Sequence, residues 1–479
     1  MIQETLIGRK EEKEILQKAY NSMRPEMVAV IGRRRVGKTF LIRSVFENRI
    51  KFEVTGIKDA KKEEQLENFA IQLNEFARPT LPVKNPSSWL EAFALLRSYL
   101  ETQLGSEKIV VFLDELPWLA THKSGFIKAL GSFWNSWASK KNVLLVICGS
   151  AASWMIKKIV KDKGGLHNRI TRRITLKSFN LAETEVYLKS NHVNMERYQI
   201  LQIYMAMGGI PHYLKEVEAG KSAVQNIDQI CFSENGLLND EFSLLYPALF
   251  EDPERHIKII HLLASKRKGL TRKEIIAFGN LSDGGNTSKA IDELSTSGFI
   301  TAYYTFGKKK REMRYRLTDE YSLFYLKFID KNRNEGKGTW KKLSQTQTWK
   351  SWSGYAFENI GLKHTQQIKK ALEIGGIYTE ASTYISKGNE DLPGIEIDLL
   401  IDRNDQAINL CEFKFYKEEF ILTKAYAEEL RRKKAVFKAM TGTKKQLFLT
   451  LISTFPSIPN QHSIGLVDNA LSMEVLFEG

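Results

Sequence analysis

The stretch Gly32-Arg-Arg-Arg-Val-Gly37-Lys38-Thr39 decides the fold of the first part of the chain. It matches the pattern G-x-x-x-x-G-K-[ST], in which a glycine-rich loop joins a strand to a helix. The apolar run Met27–Ile31 precedes the stretch, and a helical run over Thr39–Glu47 follows it. Because this order of strand, loop and helix is the context that the pattern requires, the stretch predicts a phosphate-binding loop.

The residue types of this loop suit a nucleoside triphosphate, predicted to be ATP, with Mg²⁺. Glycines let backbone N–H groups turn toward a phosphate at a helix N-terminus, whose dipole favours anions. Lys38 would bridge the β- and γ-phosphates, and the Thr39 hydroxyl would ligate Mg²⁺. The predicted ATP-binding residues of the loop and the helix start are Gly32, Arg33, Arg34, Arg35, Val36, Gly37, Lys38, Thr39 and Phe40.

A second apolar strand, Ile109–Leu113, ends in the acids Asp114 and Glu115. Open α/β sheets bind ligands at the carboxyl ends of their strands, which is where these acids would lie. Asp114 is predicted to hold Mg²⁺ through its water shell, and Glu115 to act as the catalytic base toward the attacking water. The alternative, a strand followed by a charged loop, is disfavoured because a phosphate-binding loop precedes it in the same predicted sheet.

Two later segments complete the prediction of ATP hydrolysis. The strand Val143–Cys148 leads to Ser150, whose hydroxyl is predicted to bond the γ-phosphate or the attacking water. Arg169 is predicted to stabilise the transition state in a neighbouring subunit, as an arginine finger. Pairing with surface acids is an equal alternative for Arg169 and the favoured interpretation for Arg172 and Arg173.

Composition narrows the class of protein. The 479 residues are 43% apolar and 27% charged, which excludes a disordered or collagen-like chain. The longest apolar runs are far shorter than the roughly 20 residues that a membrane helix needs. The three cysteines lie far apart and the start shows no secretion signal, so a cytoplasmic location without membrane contact is expected. The net charge of +15 favours a polyanionic partner, with solubility alone as the alternative.

The pattern changes along the chain and predicts five parts. Residues 1–178 alternate strands with helices and predict an α/β core with a parallel sheet. We expect a helical lid over 179–250, a winged helix over 251–330, a polar linker over 331–348 and a final α/β domain over 349–479. The strands predicted for the first part are Met27–Ile31, Lys51–Thr55, Ile109–Leu113, Val143–Cys148 and Arg173–Leu176.

Taken together, these segments resemble the predicted archaeal and bacterial P-loop ATPases of the AAA+/STAND type, which are related in layout to origin-recognition ATPases. The motifs that carry the resemblance are Ile7-Gly8-Arg9 with Glu11, the P-loop, Leu113-Asp114-Glu115, Gly149-Ser150 and Gly208-Gly209-Ile210-Pro211. The resemblance implies an ASCE-type sheet, with the catalytic acid strand beside the P-loop strand, and a helical lid. It also implies that Gly8, Arg9 and Glu11 lie by the adenine and that Pro211 binds ATP from the lid.

The predicted winged helix is strongly basic. Residues 253–318 contain 14 Lys or Arg and 6 Asp or Glu. Three short helices followed by a β-hairpin are the order of a winged-helix domain, so double-stranded DNA is the predicted partner. Thr287 and Lys289 would open the helix that enters the major groove, and the hairpin would contact phosphates. The hairpin residues predicted to do so are Lys308, Lys309, Lys310 and Arg311. The alternative is a packing module with a solvated hairpin.

In the last part, two apolar strands bring Asp398 close to Glu412 and Lys414. Glu412 and Lys414 share one face because alternate strand residues point the same way. Asp398 and Glu412 are predicted metal ligands, Lys414 is predicted to orient water, and Glu358 could add a ligand. The set resembles the PD-(D/E)XK restriction-endonuclease-like fold, which implies a metal-dependent nuclease. The alternative is a surface hairpin with an exposed ion pair.

The sequence thus predicts a Mg²⁺-dependent ATP-hydrolysing protein that associates with DNA and carries a nuclease-like domain. A homo-oligomer is expected if ATP orders a subunit interface. The alternative is an ATP-dependent signalling switch whose last domain is a catalytically inactive module that binds protein or DNA.

Overall fold

The chain falls into two units, Met1–Ser178 and Phe179–Gly479. The computed structural model describes residues 6–79, 82–160, 164–307, 312–390 and 392–479. The predicted phosphate contacts Lys308, Lys309, Lys310 and Arg311 lie outside the described residues. Within the described ranges, no helix combines the length and the apolar character needed to cross a membrane.

The first unit is built on a five-stranded parallel sheet. Every residue of β1, β3 and β4 is buried, as expected for strands that are covered on both faces. The five predicted strands are confirmed, each to within one residue at either end. The elements are α1 (Lys10–Tyr20), β1 (Glu26–Ile31), α2 (Lys38–Phe46), β2 (Ile50–Thr55), α3 (Lys62–Ala77), α4 (Trp89–Gln103), β3 (Ile109–Asp114), α5 (Leu116–Leu119), α6 (Phe126–Ser136), β4 (Val143–Gly149), α7 (Ala152–Met155) and β5 (Arg172–Thr175).

The strand order of this sheet is β2-β3-β4-β1-β5, which corrects the expectation that the acid strand lies beside the P-loop strand. Strand β4 pairs with both β1 and β3 and therefore separates them. Strands on either side of a shared neighbour are about 10 Å apart, twice the usual spacing. Thr39 at the start of α2 spans this gap, because its hydroxyl lies 2.6 Å from an Asp114 carboxylate oxygen.

Aromatic side chains from α3, α4 and α6 form much of the core of the first unit. Phe69, Trp89, Phe93 and Phe126 are buried. Their ring centroids lie 4.7 to 6.2 Å apart in tilted or edge-on pairs, the geometry that aromatic rings prefer. This packing holds the helices that flank the sheet and so fixes the strand ends that carry the predicted site.

The second unit begins with helices, as expected for residues 179–250. A Cβ on Gly209 would come within 2.0 Å of the Phe179 carbonyl oxygen, so this close approach requires glycine. Phe179 N–H in turn donates to the Gly209 carbonyl oxygen at 2.7 Å. The role of a lid stays a prediction. The helices are α8 (Leu181–Ser190), α9 (Arg197–Met207), α10 (Pro211–Leu214), α11 (Ala223–Phe232) and α12 (Glu241–Leu245).

Residues 253–317 are named here the helix–hairpin segment; their described part contains three helices and a small antiparallel sheet of order β6-β8-β7. The second helix begins after Thr271, as predicted, with a capping box between Thr271 and Glu274. The predicted order of helices and hairpin agrees with these elements, and DNA binding by them stays a prediction. The elements are α13 (Pro253–Ala264), β6 (Leu270–Thr271), α14 (Arg272–Gly279), α15 (Gly285–Thr296), β7 (Ile300–Tyr303) and β8 (Arg314–Leu317).

The stretch over 331–348, predicted to be a polar linker, contains a short packed helix. After α16 (Glu320–Phe324), it forms α17 (Thr339–Leu343), and Trp340 within it is only 1% exposed. The Trp340 ring stacks on Phe232 at 5.9 Å, and its backbone N–H donates to the Asp228 carboxylate at 2.7 Å. The glycines and charges around Gly336 form only a turn, while the next tryptophan anchors the chain to α11.

Residues 347–479, named here the mixed-sheet segment, fold around a sheet of order β15-β13-β11-β10-β9. Strand β10 is antiparallel to β9 and β11, whereas β11, β13 and β15 run parallel. Helix α20 contributes Val436 and Phe437 to the core of this sheet. The elements are α18 (Gln347–Lys363), α19 (Thr365–Ala371), β9 (Thr379–Gly388), β10 (Pro393–Arg403), β11 (Ala407–Lys414), β12 (Phe420–Ile421), α20 (Lys424–Thr441), β13 (Gln446–Ser453), β14 (Ser457–Ile458) and β15 (Asn469–Ser472).

Candidate functional sites

The loop between β1 and α2 has the geometry of a phosphate-binding loop. A Cβ on Gly32 would lie 2.4 Å from the Leu176 carbonyl oxygen, and Gly37 has φ +90°, so both positions require glycine. Lys38 is buried, and its Nζ donates to the carbonyl oxygens of Gly32 and Arg33 at 2.9 Å each. The ammonium group is therefore held inside the loop, at the N-terminus of α2, where the helix dipole favours anions.

The predicted Mg²⁺ ligands of the first unit lie together. Thr39 Oγ1 donates to Asp114 Oδ2 at 2.6 Å. Asp114 is buried, and burial raises the pKa of its carboxyl group, while hydrogen bonds from Thr39 and from the Glu115 N–H oppose that rise. One hydroxyl and one carboxylate are the hard oxygen donors that Mg²⁺ takes together with phosphate oxygens and water. These two residues therefore fit Mg²⁺ that arrives with a nucleotide.

Glu115 lies beside Thr39 and Asp114. It is held from the end of β4, the strand that separates β3 from β1. Ser150, directly after β4, donates to Glu115 Oε2 through its hydroxyl at 2.8 Å and through its N–H at 3.0 Å. The backbone of Glu115 has φ 44°, a left-handed conformation that non-glycine residues adopt mainly at turns and functional sites. Contact of Ser150 with the γ-phosphate or the attacking water stays a prediction; in this structure its hydroxyl bonds Glu115.

Arg9, predicted to lie by the adenine, is buried against the phosphate-binding loop. Its Nη2 donates to the Val36 carbonyl oxygen at 3.2 Å, and its backbone has φ 58° directly before α1. Gly8 precedes it, also with a left-handed backbone, and Glu11 is exposed on α1. The structure thus brings Arg9 to the P-loop, and contact with the base stays a prediction.

The remaining residues predicted for ATP lie in varied environments. Arg33 is buried, Arg34 is exposed, and Arg35 and Phe40 are half-buried. Pro211 opens α10 in the second unit.

The predicted arginine finger and its neighbours lie near the end of the first unit. Arg169 is exposed in a turn before β5. Arg172 pairs with Glu26 at 3.4 Å, in agreement with the surface pairing favoured for it. Arg173 is exposed on the same strand.

In the mixed-sheet segment, β10 and β11 bring the predicted acids together. Asp398 Oδ2 accepts the Phe413 N–H at 2.9 Å, which places this carboxylate beside Glu412 and Lys414. Glu412 is buried, and burial, followed by the charge of Asp398, raises the pKa of its carboxyl group to about 8. Lys414 Nζ lies 4.0 Å from the Tyr426 ring centroid.

Sequence reasoning missed Lys433, the cation that contacts Glu412. Its Nζ donates to both carboxylate oxygens, at 2.8 and 2.7 Å. Lys433 lies on α20, and the only signal in the sequence is one lysine among several on that helix. Its partner could be found only from the tertiary structure.

Glu358 reaches the same region from α18. Arg316 on β8 donates to its Oε1 at 2.7 Å. Burial, followed by the charge of Asp398, raises the pKa of Glu358 to about 7, and Arg316 opposes this rise. Within the described residues, no group of three or more His, Cys, Asp or Glu is arranged to hold a metal ion. Lys433 binds the Glu412 carboxylate at which a metal was predicted, and metal binding by Asp398 and Glu412 stays a prediction.

Of the two predicted DNA contacts on α15, one is buried and the other is exposed. Thr287 is fully buried, and its hydroxyl donates to the Ser282 carbonyl oxygen at 2.7 Å, so the predicted major-groove contact is wrong for Thr287. The side chain instead stabilises the turn into α15. Lys289 is 54% exposed and lies 3.6 Å from Glu293. Lys289 stays a candidate contact.

The sheet order, the glycine loop and the acid pair of the first unit are similar to those of P-loop ATPase domains. Residues 6–217 match the family described as an ATPase domain predominantly from Archaea.

Two kinds of similarity accompany this match. A Methanocaldococcus jannaschii protein named "uncharacterized protein MJECL04" is 22% identical over 445 residues, which span 90% of this chain and 92% of that one. The solved structure of the Walker-type ATPase PABY2304 of Pyrococcus abyssi covers 67% of this chain and 96% of its own, with 17% identity and a TM-score of 0.50. The Aeropyrum pernix ORC2 protein, solved as ADPNP–ADP complexes, covers 70% of this chain and 96% of its own, at 16% identity and a TM-score of 0.42. The Pyrococcus likeness supports the fold alone.

Proposed function

We propose that the first unit binds ATP with Mg²⁺ and hydrolyses it. The observation that carries the proposal is the joint placement of Lys38 inside the loop, Thr39 on Asp114, and Glu115 on Ser150. A binding site alone would need only the first two. A carboxylate held in place beside them is the group that hydrolysis needs to orient and activate water.

Each residue has a separate part in the proposed reaction. Loop N–H groups bind the β-phosphate, and Lys38 exchanges the Gly32 and Arg33 carbonyl oxygens for phosphate oxygens. Thr39 and Asp114 would hold Mg²⁺, which neutralises charge that develops on the phosphates. Both hydrogen bonds from Ser150 reach Oε2 of Glu115, so Oε1 is the oxygen that we assign to the water proton.

We further propose that the second unit associates with nucleic acid. Residues 253–318 carry a net charge of +8, more than half of the +15 of the whole chain. Electrostatic attraction to phosphates is the sequence-independent part of nucleic-acid affinity and gives it a strong salt dependence. The proposed role is that of a winged helix, joined to a nuclease-like domain in the mixed-sheet segment.

Cleavage of nucleic acid is the second candidate function, favoured by Asp398, Glu412 and Lys414 lining one cavity. Two observations favour binding without cleavage: Lys433 already binds Glu412, and Arg316 already binds Glu358. The proposal is therefore a nuclease-like module that binds. Cutting of DNA or RNA by the full chain in Mg²⁺ or Mn²⁺, abolished in Lys414→Ala with ATP hydrolysis intact, would instead establish the nuclease.

The central experiment measures ATP hydrolysis with and without duplex DNA. We expect Mg²⁺-dependent phosphate release that DNA stimulates. A rate indifferent to DNA would favour the alternative of a signalling switch. The absence of any hydrolysis by folded protein would contradict the proposal.

A further inference from the structure

A cavity of about 1250 Å³ lies within the second unit, between the helix–hairpin segment and the mixed-sheet segment. The helix–hairpin segment contributes Arg267, Lys268 and Arg316 to its wall. The mixed-sheet segment contributes the acids Glu358 and Glu412, among others. Both segments that are proposed to associate with nucleic acid therefore border the same cavity.

Direct contacts fix these two walls relative to each other. Arg316 is 5% exposed and bonds Glu358, while Lys268 Nζ lies 2.7 Å from a Glu396 oxygen. A backbone hydrogen bond also joins the two segments, because the Thr383 N–H on β9 donates to the Tyr304 carbonyl oxygen at 3.1 Å. The positions of Arg267 and Lys268 over the cavity are thus set by the fold.

The charges of the cavity are arranged by depth. Two of its deep carboxylates, Glu358 and Glu412, are paired with the cations Arg316 and Lys433, and a third, Asp398, accepts the Phe413 N–H. Around them lie six exposed cations from both segments and two exposed acids, namely Arg267, Lys268, Lys350, Lys387, Lys417 and Arg432 with Glu418 and Glu419, so cations predominate at the opening. A small anion would meet one or two of these cations, whereas a ligand with repeated negative charges would meet many.

Aromatic side chains distinguish a nucleic acid from other polyanions. Phe415 and Tyr416 line the cavity, and Tyr416 is 50% exposed. Unpaired bases stack on such rings, and base stacking combined with basic side chains is the usual composition of single-strand binding grooves. By contrast, the start of α15 offers Lys289 beside a buried Thr287.

We propose that this cavity, and not the start of α15, is where the second unit holds a nucleic-acid strand, with Arg267 and Lys268 contacting its phosphates. The inference rests on the proposed association with nucleic acid and names the surface responsible. It assigns Arg316 the role of a positioning residue, because Arg316 ties β8 to α18 and does not reach the nucleic acid itself.

The test compares two variants of the full chain that remove equal charge from the same segment. Arg267→Ala/Lys268→Ala alters the cavity, and Lys273→Ala/Lys289→Ala alters exposed lysines away from it. Affinity for a labelled single strand and for the matching duplex is measured in EDTA from 50 to 200 mM salt, so that cleavage plays no part. In the cavity variant alone, the decrease of log affinity with log salt concentration should become less steep. The change in slope should be about 0.7 to 0.9 for each phosphate that the protein no longer neutralises.

Glu396→Gln is a matched control for the ion pair. It breaks the same ion pair as Lys268→Ala, but it removes a negative charge from the cavity. Tighter binding by Glu396→Gln together with weaker binding by Lys268→Ala supports electrostatic contact with phosphates. Weaker binding by both would mean that the pair acts structurally, and would overturn the proposal.

Two further arms complete the test. Tyr416→Ala should weaken binding of the single strand about 5-fold or more and change duplex binding less. A larger decrease in affinity for Lys273→Ala/Lys289→Ala than for the cavity variant would place the nucleic acid on α15 and overturn the inference alone. No binding of either probe by the wild type at 50 mM salt would overturn the inference and the proposed nucleic-acid association together.

Discussion

Replacing Ser150 by alanine tests the proposed role of Glu115, because this substitution changes neither the charge of Glu115 nor the phosphate-binding loop. The variant loses the hydroxyl hydrogen bond of 2.8 Å to Glu115 Oε2 and keeps the backbone N–H bond of 3.0 Å. A hydrogen bond to a charged group contributes about 1.5 to 3 kcal/mol. Because about 1.4 kcal/mol corresponds to a tenfold change in rate, kcat should fall about 10- to 100-fold.

The assay is steady-state release of phosphate at saturating ATP and Mg²⁺, with nucleotide affinity measured separately by calorimetry. We expect the affinity for ATP to stay close to that of the wild type, because Ser150 contacts Glu115 and not the loop. Ser139→Ala is a matched control, since its hydroxyl donates to the Asn135 carbonyl oxygen instead. This control should keep the wild-type rate.

A double variant decides whether Ser150 acts through Glu115. Glu115→Gln alone should lower kcat about 10²- to 10⁴-fold, the usual contribution of a general base. Two residues that act as one unit are not additive, so Ser150→Ala should change the rate little in the Glu115→Gln background. The positioning role of Ser150 is disproved if Ser150→Ala lowers the rate by the same factor in both backgrounds, or if it has no effect in either.

Three further predictions concern Arg9 beside the phosphate-binding loop, the stability of the fold at acid pH, and the packing of Trp340 in α17. Arg9→Ala should lower ATP affinity by up to about tenfold, because the hydrogen bond to Val36, worth about 1.5 kcal/mol, preorganises the loop for phosphate; calorimetry should show no such decrease for Lys13→Ala. Burial lowers the pKa of His364 from 6.5 to about 4. Between these values the unfolded chain binds a proton and the folded chain does not, so stability falls by about 3 kcal/mol as pH falls through this window. Denaturant unfolding at pH 7 and 4.5 should show a smaller difference for His364→Gln; an equal difference would contradict this assignment. Trp340→Ala should cost about 3 to 5 kcal/mol in denaturant unfolding, as for a buried core tryptophan, and an unchanged midpoint would show that the segment is a spacer after all.

Much of the first unit could be predicted from sequence because its signals are local. The loop needs glycines at fixed positions, and the strands are short apolar runs whose ends the sequence marks clearly. The insertion of β4 between β1 and β3 could not be predicted in this way. Strand order depends on how the helices cover the sheet, and so the hydrogen bond from Ser150 to Glu115 was not foreseen.

The second unit was harder to predict because its site is assembled from distant segments. Lys433 and Arg316 lie 21 and 42 residues from the carboxylates that they bind. No periodicity links them, and only the packing of α20 and β8 reveals their partners. Thr287 shows a different difficulty. A polar residue near a helix start can be either exposed or buried with a local hydrogen bond, and the sequence does not distinguish the two.

Calorimetric titration of ATP with Mg²⁺ into the folded full chain is the decisive test of nucleotide binding by the first unit, with Lys38→Ala measured beside it. We expect saturable binding by the wild type and none by the variant, because Lys38 is the cation held inside the loop. Absence of binding by folded wild type, or equal binding by both proteins, would contradict the proposed function.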